Sequence, residues 1–320
     1  MDPTSGWMKL QITEKRLIAK GTYWFVLEHP EGEALPKFEA GAHVTLKMPN
    51  GLNRQYSLCG DPENTRRYEI AVKREDTGRG GSLSLADDTK VGDWMEVSLP
   101  IQAFGLDAKA KSFLLIAGGI GITPMRSMLM QLQSESMRKF KLIYLTRDAE
   151  STAFLDELTS NAWTGQVQLH HDQGDAEQAF DLWKLLEKPV AACHVYCCGP
   201  KRLMDEVKDM TGHWPTSSVH FESFGAGNQV QKDDRAFTVE LARTGKTVRV
   251  EADQSLLDAL RGASMLVPSS CESGTCGSCK VTLLEGEADH RDCVLMDDEK
   301  SQHIMVCVSR AISEHLVLDL

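Results

Sequence analysis

Up to about residue 106 the apolar positions come in short runs, at 8–15, 22–28, 43–48, 54–58, 68–74 and 94–99. Several alternate apolar and polar residues with period two, and Gly, Pro, Asn and Asp fill the gaps. That period puts successive side chains on opposite faces of a strand, one for a core and one for water. Short strands joined by turns predict an antiparallel β-barrel over residues 1–107. From residue 112 the pattern changes. Residues 113–117, Phe-Leu-Leu-Ile-Ala, are continuously apolar and end in glycines, as a strand covered on both faces requires. Similar runs follow at 142–145, 167–170, 195–198 and 219–222, with helical stretches at 124–132, 180–186 and 201–210 between them. The alternation predicts a doubly wound α/β domain over 108–226. A polar stretch beginning Gly225-Ala-Gly-Asn then reads as a linker over 227–235. Strands at 237–242 and 246–251, a helix at 255–261, a cysteine-bearing loop and further short strands ending at 316–318 predict a small α+β domain over 236–320.

A chain of 320 residues has room for two or three such cores, and its composition (42% hydrophobic, 25% charged) is that of a soluble globular protein. No apolar stretch approaches membrane-spanning length, and residues 1–7 lack the basic and apolar regions of a signal peptide. No membrane partner and a cytoplasmic location are therefore expected. A formal charge of −11 argues against nucleic acid as the partner. Residues 236–320 hold 14 Asp/Glu against 8 Lys/Arg, a net of −6, so over half of the excess sits in the last domain. Such a face either steers a partner with a basic patch or simply keeps the domain soluble.

The chemistry is most explicit in Cys271-Glu-Ser-Gly-Thr-Cys276-Gly-Ser-Cys279, with Cys307 further on. C-x4-C-x2-C…C is the spacing of a plant-type [2Fe–2S] site. Three thiolates come from one loop and the fourth from a distant strand, and Gly274 and Gly277 let the loop curl around the cluster. Zinc loops instead pair cysteines at C-x2-4-C twice over, and a disulfide framework needs an exported chain. The remaining five of the nine cysteines (Cys59, Cys193, Cys197, Cys198, Cys293) are irregularly spaced, which fits reduced thiols in the cytosol.

Six other candidates sit on a strand, at strand ends or in turns. Arg54-Gln-Tyr56-Ser57 offers a guanidinium fork for a phosphate, an aromatic neighbour for a ring and a hydroxyl for a flavin N5, although an ordinary strand with a surface arginine reads the same. Arg79-Gly80-Gly81-Ser82 precedes a short helix whose first N–H groups suit an anion, with Ser82 as the expected N-cap and Lys73 or Arg74 adding positive charge. The alternative is a plain Gly-Gly turn. Gly118-Gly119-Ile-Gly121-Ile-Thr123-Pro124 closes the first buried strand and opens a helix, as a loop around a dinucleotide pyrophosphate does. Pro124 stands where the Rossmann fingerprint has its third glycine. Asp172, after the third strand, is placed to bind the ribose hydroxyls of an adenosine and to repel a 2′-phosphate, with no compensating cation foreseen. Cys198-Gly199-Pro200 ends the fourth strand, and Glu222 and Phe224 end the fifth; a buried thiol and a core phenylalanine are the plainer readings there.

Together these motifs resemble the phthalate dioxygenase reductase family of the ferredoxin–NADP reductase superfamily, over essentially the whole chain. The resemblance implies an FMN-binding barrel, an NADH-binding α/β domain and a β-grasp ferredoxin domain, in that order. It implies FMN, NADH and one [2Fe–2S] cluster, and a monomer delivering electrons to a Rieske-type aromatic-ring dioxygenase, phthalate 4,5-dioxygenase first among them. By resemblance, Arg54, Tyr56, Ser57, Lys73, Gly81 and Ser82 are FMN contacts. Gly119, Gly121, Thr123, Asp172, Cys198, Gly199 and Phe224 lie near NADH or the flavin ring, with Ser57, Cys198 and Glu222 beside the reacting atoms. Cys271, Cys276, Cys279 and Cys307 are the cluster ligands. Gln55 stands where the family often has threonine, and Cys293 lies outside the pattern as a spare thiol. The rivals are a non-catalytic carrier of nucleotide and zinc, and a reductase serving a monooxygenase or demethylase.

Overall fold

A computed structural model of the chain describes residues 6–78, 80–224, 233–269, 274, 277–292 and 294–320. The chain divides into two compact units, Met1–Phe221 and Glu222–Leu320. In the first, strands β1 (Trp7–Ala19), β2 (Thr22–Glu28), β3 (Ala42–Lys47), β4 (Asn53–Ser57) and β5 (Arg67–Lys73) precede helix α1 (Gly81–Asp87). Strands β6 (Trp94–Ser98) and β7 (Ile101–Gln102) follow it. They form one sheet in the order β4-β3-β6-β1-β2-β5, with β7 on β3. Its described ladders are antiparallel, and β4 and β5 approach each other so that the sheet curls into a barrel. The inward faces of these strands supply Leu10, Ile12, Phe25, Leu27, Val44, Leu46, Ile70 and Val97 to one core. β1 runs further than alternation predicts. Register shifts between Ile12 and Glu14 and between Leu17 and Ala19 are bulges that bend it and let it pair with β6 and then with β2.

The second half of this unit contains β8 (Ser112–Gly118), α2 (Ile122–Glu135), β9 (Lys139–Thr146), α3 (Leu155–Leu158) and β10 (Val167–His171). It continues with α4 (Trp183–Leu186), β11 (Cys193–Cys198), α5 (Lys201–Met210) and β12 (Val219–Glu222). The sheet order is β10-β9-β8-β11-β12, so the direction of winding reverses between β8 and β11. Both faces are covered. Leu115, Ala117 and Tyr144 pack on Met125, Met128 and Leu129 of α2, while Leu114, Ile116, Ile143 and Val195 pack on Leu186, Met204 and Val207. The helix expected at 180–186 shortens to Trp183–Leu186, with Leu182 as its N-cap.

In the second unit, β13 (Phe237–Leu241), β14 (Lys246–Val250), α6 (Leu256–Gly262) and β15 (Lys280–Glu285) come first. After them stand β16 (Ala288–Asp289), β17 (His303–Met305), β18 (Arg310–Ala311) and β19 (His315–Leu318). The sheet order is β14-β13-β19-β15-β17, with β13 and β19 parallel, and β16 and β18 form a separate pair. Helix α6 lays Leu256, Leu257 and Leu260 on Val239, Val250 and Leu316, the β-grasp arrangement. Ser255 caps its start: Oγ accepts from Asp258 N at 3.0 Å and donates to Asp258 Oδ2 at 2.7 Å. Among the described residues no helix is long and apolar enough to cross a membrane. The linker expected at 227–235 lies mostly outside the described residues.

Candidate functional site

On the barrel, β4 carries Arg54, Tyr56 and Ser57 opposite Leu46, Val44 and His43 of β3. Ser57 is buried, whereas Arg54 and Tyr56 are partly exposed. Burial pushes the Tyr56 phenol up to about 12, with Arg54 opposing, so its hydroxyl stays protonated. The Arg54 side chain lies across the first residue of α1. A Cβ on Gly81 would stand 2.5 Å from Arg54 Cγ and 2.6 Å from its Nε, so glycine is what lets the guanidinium stem rest there. Gly80 caps α1 in the left-handed conformation (φ 79°) with no side-chain hydrogen bond, and no acidic residue occupies the first turn. The helix start and the arginine together make a cradle of positive potential that suits a terminal phosphate.

Ser82 is not the cap. It lies inside the first turn, because the glycine before Gly81 already supplies the capping backbone; its Oγ instead accepts from Glu75 N at 3.1 Å, tying the turn to the end of β5. Of the two candidate cations beside it, Arg74 is committed to Asp87 at 2.9 Å and to Asp76. Lys73 pairs with Glu75 at 3.0 Å and borders the cavity of the α/β half. Arg79 lies outside the described residues.

That cavity, about 620 Å³, opens at the reversal between β8 and β11. Here the turn after β8 runs against the turn after β11. A Cβ on Gly121 would meet the Cys198 carbonyl oxygen at 2.1 Å, and one on Gly118 would meet Pro200 and Leu203 at 2.7 Å. One on Gly199 would stand 3.0 Å from Gly118 Cα, so the three glycines permit the contact. Helix α2 starts from it with no side-chain cap and no acid in its first turn. Gly119 and Asp172 line the cavity. Thr123 and Cys198 are buried and do not line it: Thr123 Oγ1 donates to Ile120 O at 3.1 Å, and Cys198 packs in the core under α2. Glu222 is buried at the end of β12, and Phe224 is 41% exposed.

The surroundings of Asp172 differ from the sequence expectation. Its Oδ1 accepts from Gly174 N at 2.9 Å, which closes a tight turn. Arg147 rests on that turn, its Nε 3.4 Å from where a Gly174 Cβ would be. Lys20, Lys73, Arg147 and Arg202 line the cavity against Asp148, Asp172, Asp175 and Glu206. Compensating cations are therefore present. Arg147 directly follows β9 and Arg202 stands in the first turn of α5 after β11, and those positions are the signal by which they could have been found.

In the second unit, β15 pairs with β17 so that Lys280 faces Met305 and Val281 faces Ile304. This register brings Cys279 and Cys307 to the same end of the ladder, where Val306 N donates to Cys279 O at 3.3 Å. Both thiols are buried, at 2% and 3% exposure, and soft sulfur donors converging in an apolar surround suit iron. Gly274 and Gly277 have φ of 74° and 79°, and a Cβ on Gly274 would stand 2.7 Å from Val308 Cγ2. Cys271, Cys276 and Cys293 lie outside the described residues. Two supporting residues had no role at the sequence level. Asp292 Oδ2 accepts from Val294 N at 3.0 Å and Leu295 N at 2.8 Å, fixing the turn beside Gly274. Arg310 is buried three residues past Cys307 and donates to the carbonyls of Gln254, Glu251 and Arg235.

One titratable pair near the barrel boundary has a measurable consequence. His194 Nδ1 lies 3.0 Å from His220 Nε2, and His220 stacks on Tyr196 at 4.3 Å. Burial, and then the neighbouring His194, bring His220 down to about 4. The unfolded chain takes up this proton near 6.5, so stability is full above that pH and is lost as pH falls toward 4. Allowing for partial solvent screening, the loss is about 1–2 kcal/mol. Thermal melts between pH 7 and 4.5 should show a slope that His220→Gln flattens; an equal slope in the variant would assign the loss to other groups.

Three family models cover the chain in sequence: an oxidoreductase FAD-binding domain at residues 9–105, an oxidoreductase NAD-binding domain at 115–209 and a 2Fe-2S iron-sulfur cluster binding domain at 239–311. The sequence is 58% identical over 315 residues to phthalate dioxygenase reductase of Burkholderia cepacia, covering 98% of both chains. It is 49% identical to the phthalate 4,5-dioxygenase oxygenase reductase subunit of Pseudomonas putida, covering 98% of this chain and 97% of that one. A solved structure of phthalate dioxygenase reductase, described as modular for electron transfer from pyridine nucleotides to [2Fe–2S], superposes with a TM-score of 0.80 over 99% of each chain at 58% identity.

Proposed function

Because the chain belongs to the phthalate dioxygenase reductase family, we propose that it carries electrons from NADH through FMN and one [2Fe–2S] cluster to a Rieske aromatic-ring dioxygenase, phthalate 4,5-dioxygenase being the acceptor. The observation that carries this reading is the full-length likeness, with flavin, nucleotide and iron–sulfur modules in the same order. When bound, the flavin accepts two electrons as a hydride and the cluster passes electrons on one at a time. The chain's own work is to bind and to orient. Arg54 and the start of α1 hold the flavin phosphate, and the family likeness makes that flavin FMN. Buried Ser57 presents a hydroxyl three residues along the same strand. The turn after β8 and the first N–H groups of α2 take the pyrophosphate, and the turn at Cys198 sets the floor on which the nicotinamide rests. Cys279 and Cys307 supply two of four thiolates, with Cys271 and Cys276 as the others. We place the protein in the cytosol as a monomer, in keeping with its irregular thiols and acidic surface.

Pairing purified protein with candidate oxygenases tests the acceptor. Product formation with a phthalate dioxygenase is expected; exclusive activity with a demethylase would overturn the choice. Arg54→Ala should weaken flavin retention by about 1.5–3 kcal/mol, roughly tenfold or more in Kd, because a fixed phosphate loses a charge-assisted fork. Heat-released cofactor from the parent protein should chromatograph as FMN, and FAD in its place would refute that assignment.

Asp172→Ala should collapse the NADH-to-NADPH ratio of kcat/KM, since the like charge facing a 2′-phosphate is gone while Arg147 and Arg202 remain. The assay is run near pH 8. An unchanged ratio would shift the discrimination to the Thr146-Arg147-Asp148 turn.

A further inference from the structure

Helix α2 starts at the nucleotide loop, and one buried side chain fastens it to the flavin barrel. Arg126, 8% exposed, stands in the second turn of α2. Its Nη1 donates to Cys59 O at 2.7 Å and to Glu69 Oε2 at 2.8 Å. Its Nε reaches both carboxylate oxygens of Glu157 in α3 at 3.0 Å, and its guanidinium lies 4.5 Å from the centre of the Phe154 ring. Glu69, on β5 and 4% exposed, takes Arg67 on Oε1 at 2.7 Å, while its Oε2 also accepts from the Trp24 indole N–H at 3.3 Å. Two arginines thus balance two carboxylates across the join between the barrel and the α/β half.

Stability alone is a poor reason for this cluster. Charges withdrawn from water repay their desolvation only when each donor finds an acceptor, and apolar packing of the same volume does as well or better. What ionic contacts add over apolar ones is direction. The backbone points the same way: Phe154, which lies against the guanidinium, is held at φ 59°, a conformation that bulky residues rarely adopt. The attachment points are specific as well. Cys59 is two residues beyond Ser57 on the flavin strand, and Arg126 is three beyond Thr123 and five beyond Gly121 on the nucleotide helix. A single guanidinium therefore joins the backbone just past the proposed flavin site to the helix whose start takes the pyrophosphate, and whose Gly121 lies against the Cys198 turn on which the nicotinamide rests.

The geometry points to Arg126 as a positioning residue that sets the register of nicotinamide against flavin for hydride transfer, an inference that rests on the function proposed above. It acts through Cys59 and through α2. Hydride transfer falls steeply when donor and acceptor are misplaced by as little as about 1 Å, on the order of 100-fold. A fork that fixes two backbone segments controls such a displacement without contributing to the affinity of either ligand.

The test uses holoprotein with flavin and cluster in place. Flavin reduction is followed by stopped flow with NADH and with NADH deuterated at the transferred position. In Arg126→Met the limiting reduction rate should fall about 10- to 100-fold, with a larger deuterium isotope effect and the NADH dissociation constant changed less than about threefold. Added NAD+ should give a weaker long-wavelength charge-transfer band with chemically reduced Arg126→Met than with the parent protein, a readout that needs no turnover. Arg126→Lys keeps the cation but loses the fork and should recover part of both effects. A parent-like rate and band in Arg126→Met would overturn the positioning role. Should that variant fail to fold, Glu157→Gln removes the more exposed anchor; a rate reduced several-fold with a weaker band supports the role, and parent values overturn it. Failure of NADH to reduce the parent protein would instead overturn the function on which the inference rests.

Discussion

Replacing Cys307 by serine should abolish the iron–sulfur absorbance of the purified protein, while Cys293→Ser should leave it intact. Cys307 is buried and stands at the end of the β15–β17 ladder beside Cys279, where only a soft, deprotonated donor completes a four-sulfur set. Serine is harder and holds its proton at neutral pH. The flavin module has a core of its own in the first unit, so flavin content and NADH-driven flavin reduction should survive. Electron delivery to the oxygenase should fail. Iron and acid-labile sulfide analysis reads the outcome directly. Loss of the cluster in Cys293→Ser with retention in Cys307→Ser would reverse the ligand assignment.

Gly121→Ala should be the most damaging single methyl group in the nucleotide half. The added carbon would sit 2.1 Å from the Cys198 carbonyl oxygen and 2.5 Å from its carbon, and both are backbone atoms that no rotamer change can move. Either the turn after β8 lifts or β11 shifts, and in both cases the floor of the cavity changes. A stability loss of about 1–3 kcal/mol is expected, with KM for NADH raised roughly tenfold or more and flavin content unchanged. Gly119→Ala is the control. Its φ of 53° strains alanine, but nothing lies within 4 Å of the new carbon, so only the conformational penalty of about 1 kcal/mol applies. Equal damage in the two variants would show that close approach of the two turns is not what the glycine at 121 provides.

Much of the fold was legible because its elements declare themselves locally. Period-two runs located the barrel strands to within a residue or two, and the continuous runs located the parallel sheet. β1 ran past its expected end because a bulge breaks the alternation without ending the strand. Ser82 was assigned as a cap because a serine at a helix start is normally one; the backbone of Gly80, free to adopt a positive φ, had already taken that place. The cluster ligands were legible as spacing, but their convergence depends on the register of β15 against β17, which no local pattern encodes. The Arg126 cluster was invisible for the same reason. Its partners Glu69, Cys59 and Glu157 are 57, 67 and 31 positions away, on β5, in the loop after β4 and on α3. Arg147 and Arg202 had a positional signal, yet the balance of charge around Asp172 emerges only once the strand ends are brought together.

The central claim, that one chain joins a two-electron flavin to a one-electron cluster, is tested most directly by anaerobic titration with NADH under a visible spectrum. Full bleaching of both flavin and iron–sulfur absorbance should require about 1.5 equivalents, two electrons for the flavin and one for the cluster. A protein that is colourless as purified, or one whose flavin bleaches after one equivalent while the iron–sulfur bands stay oxidised with further NADH, would contradict it.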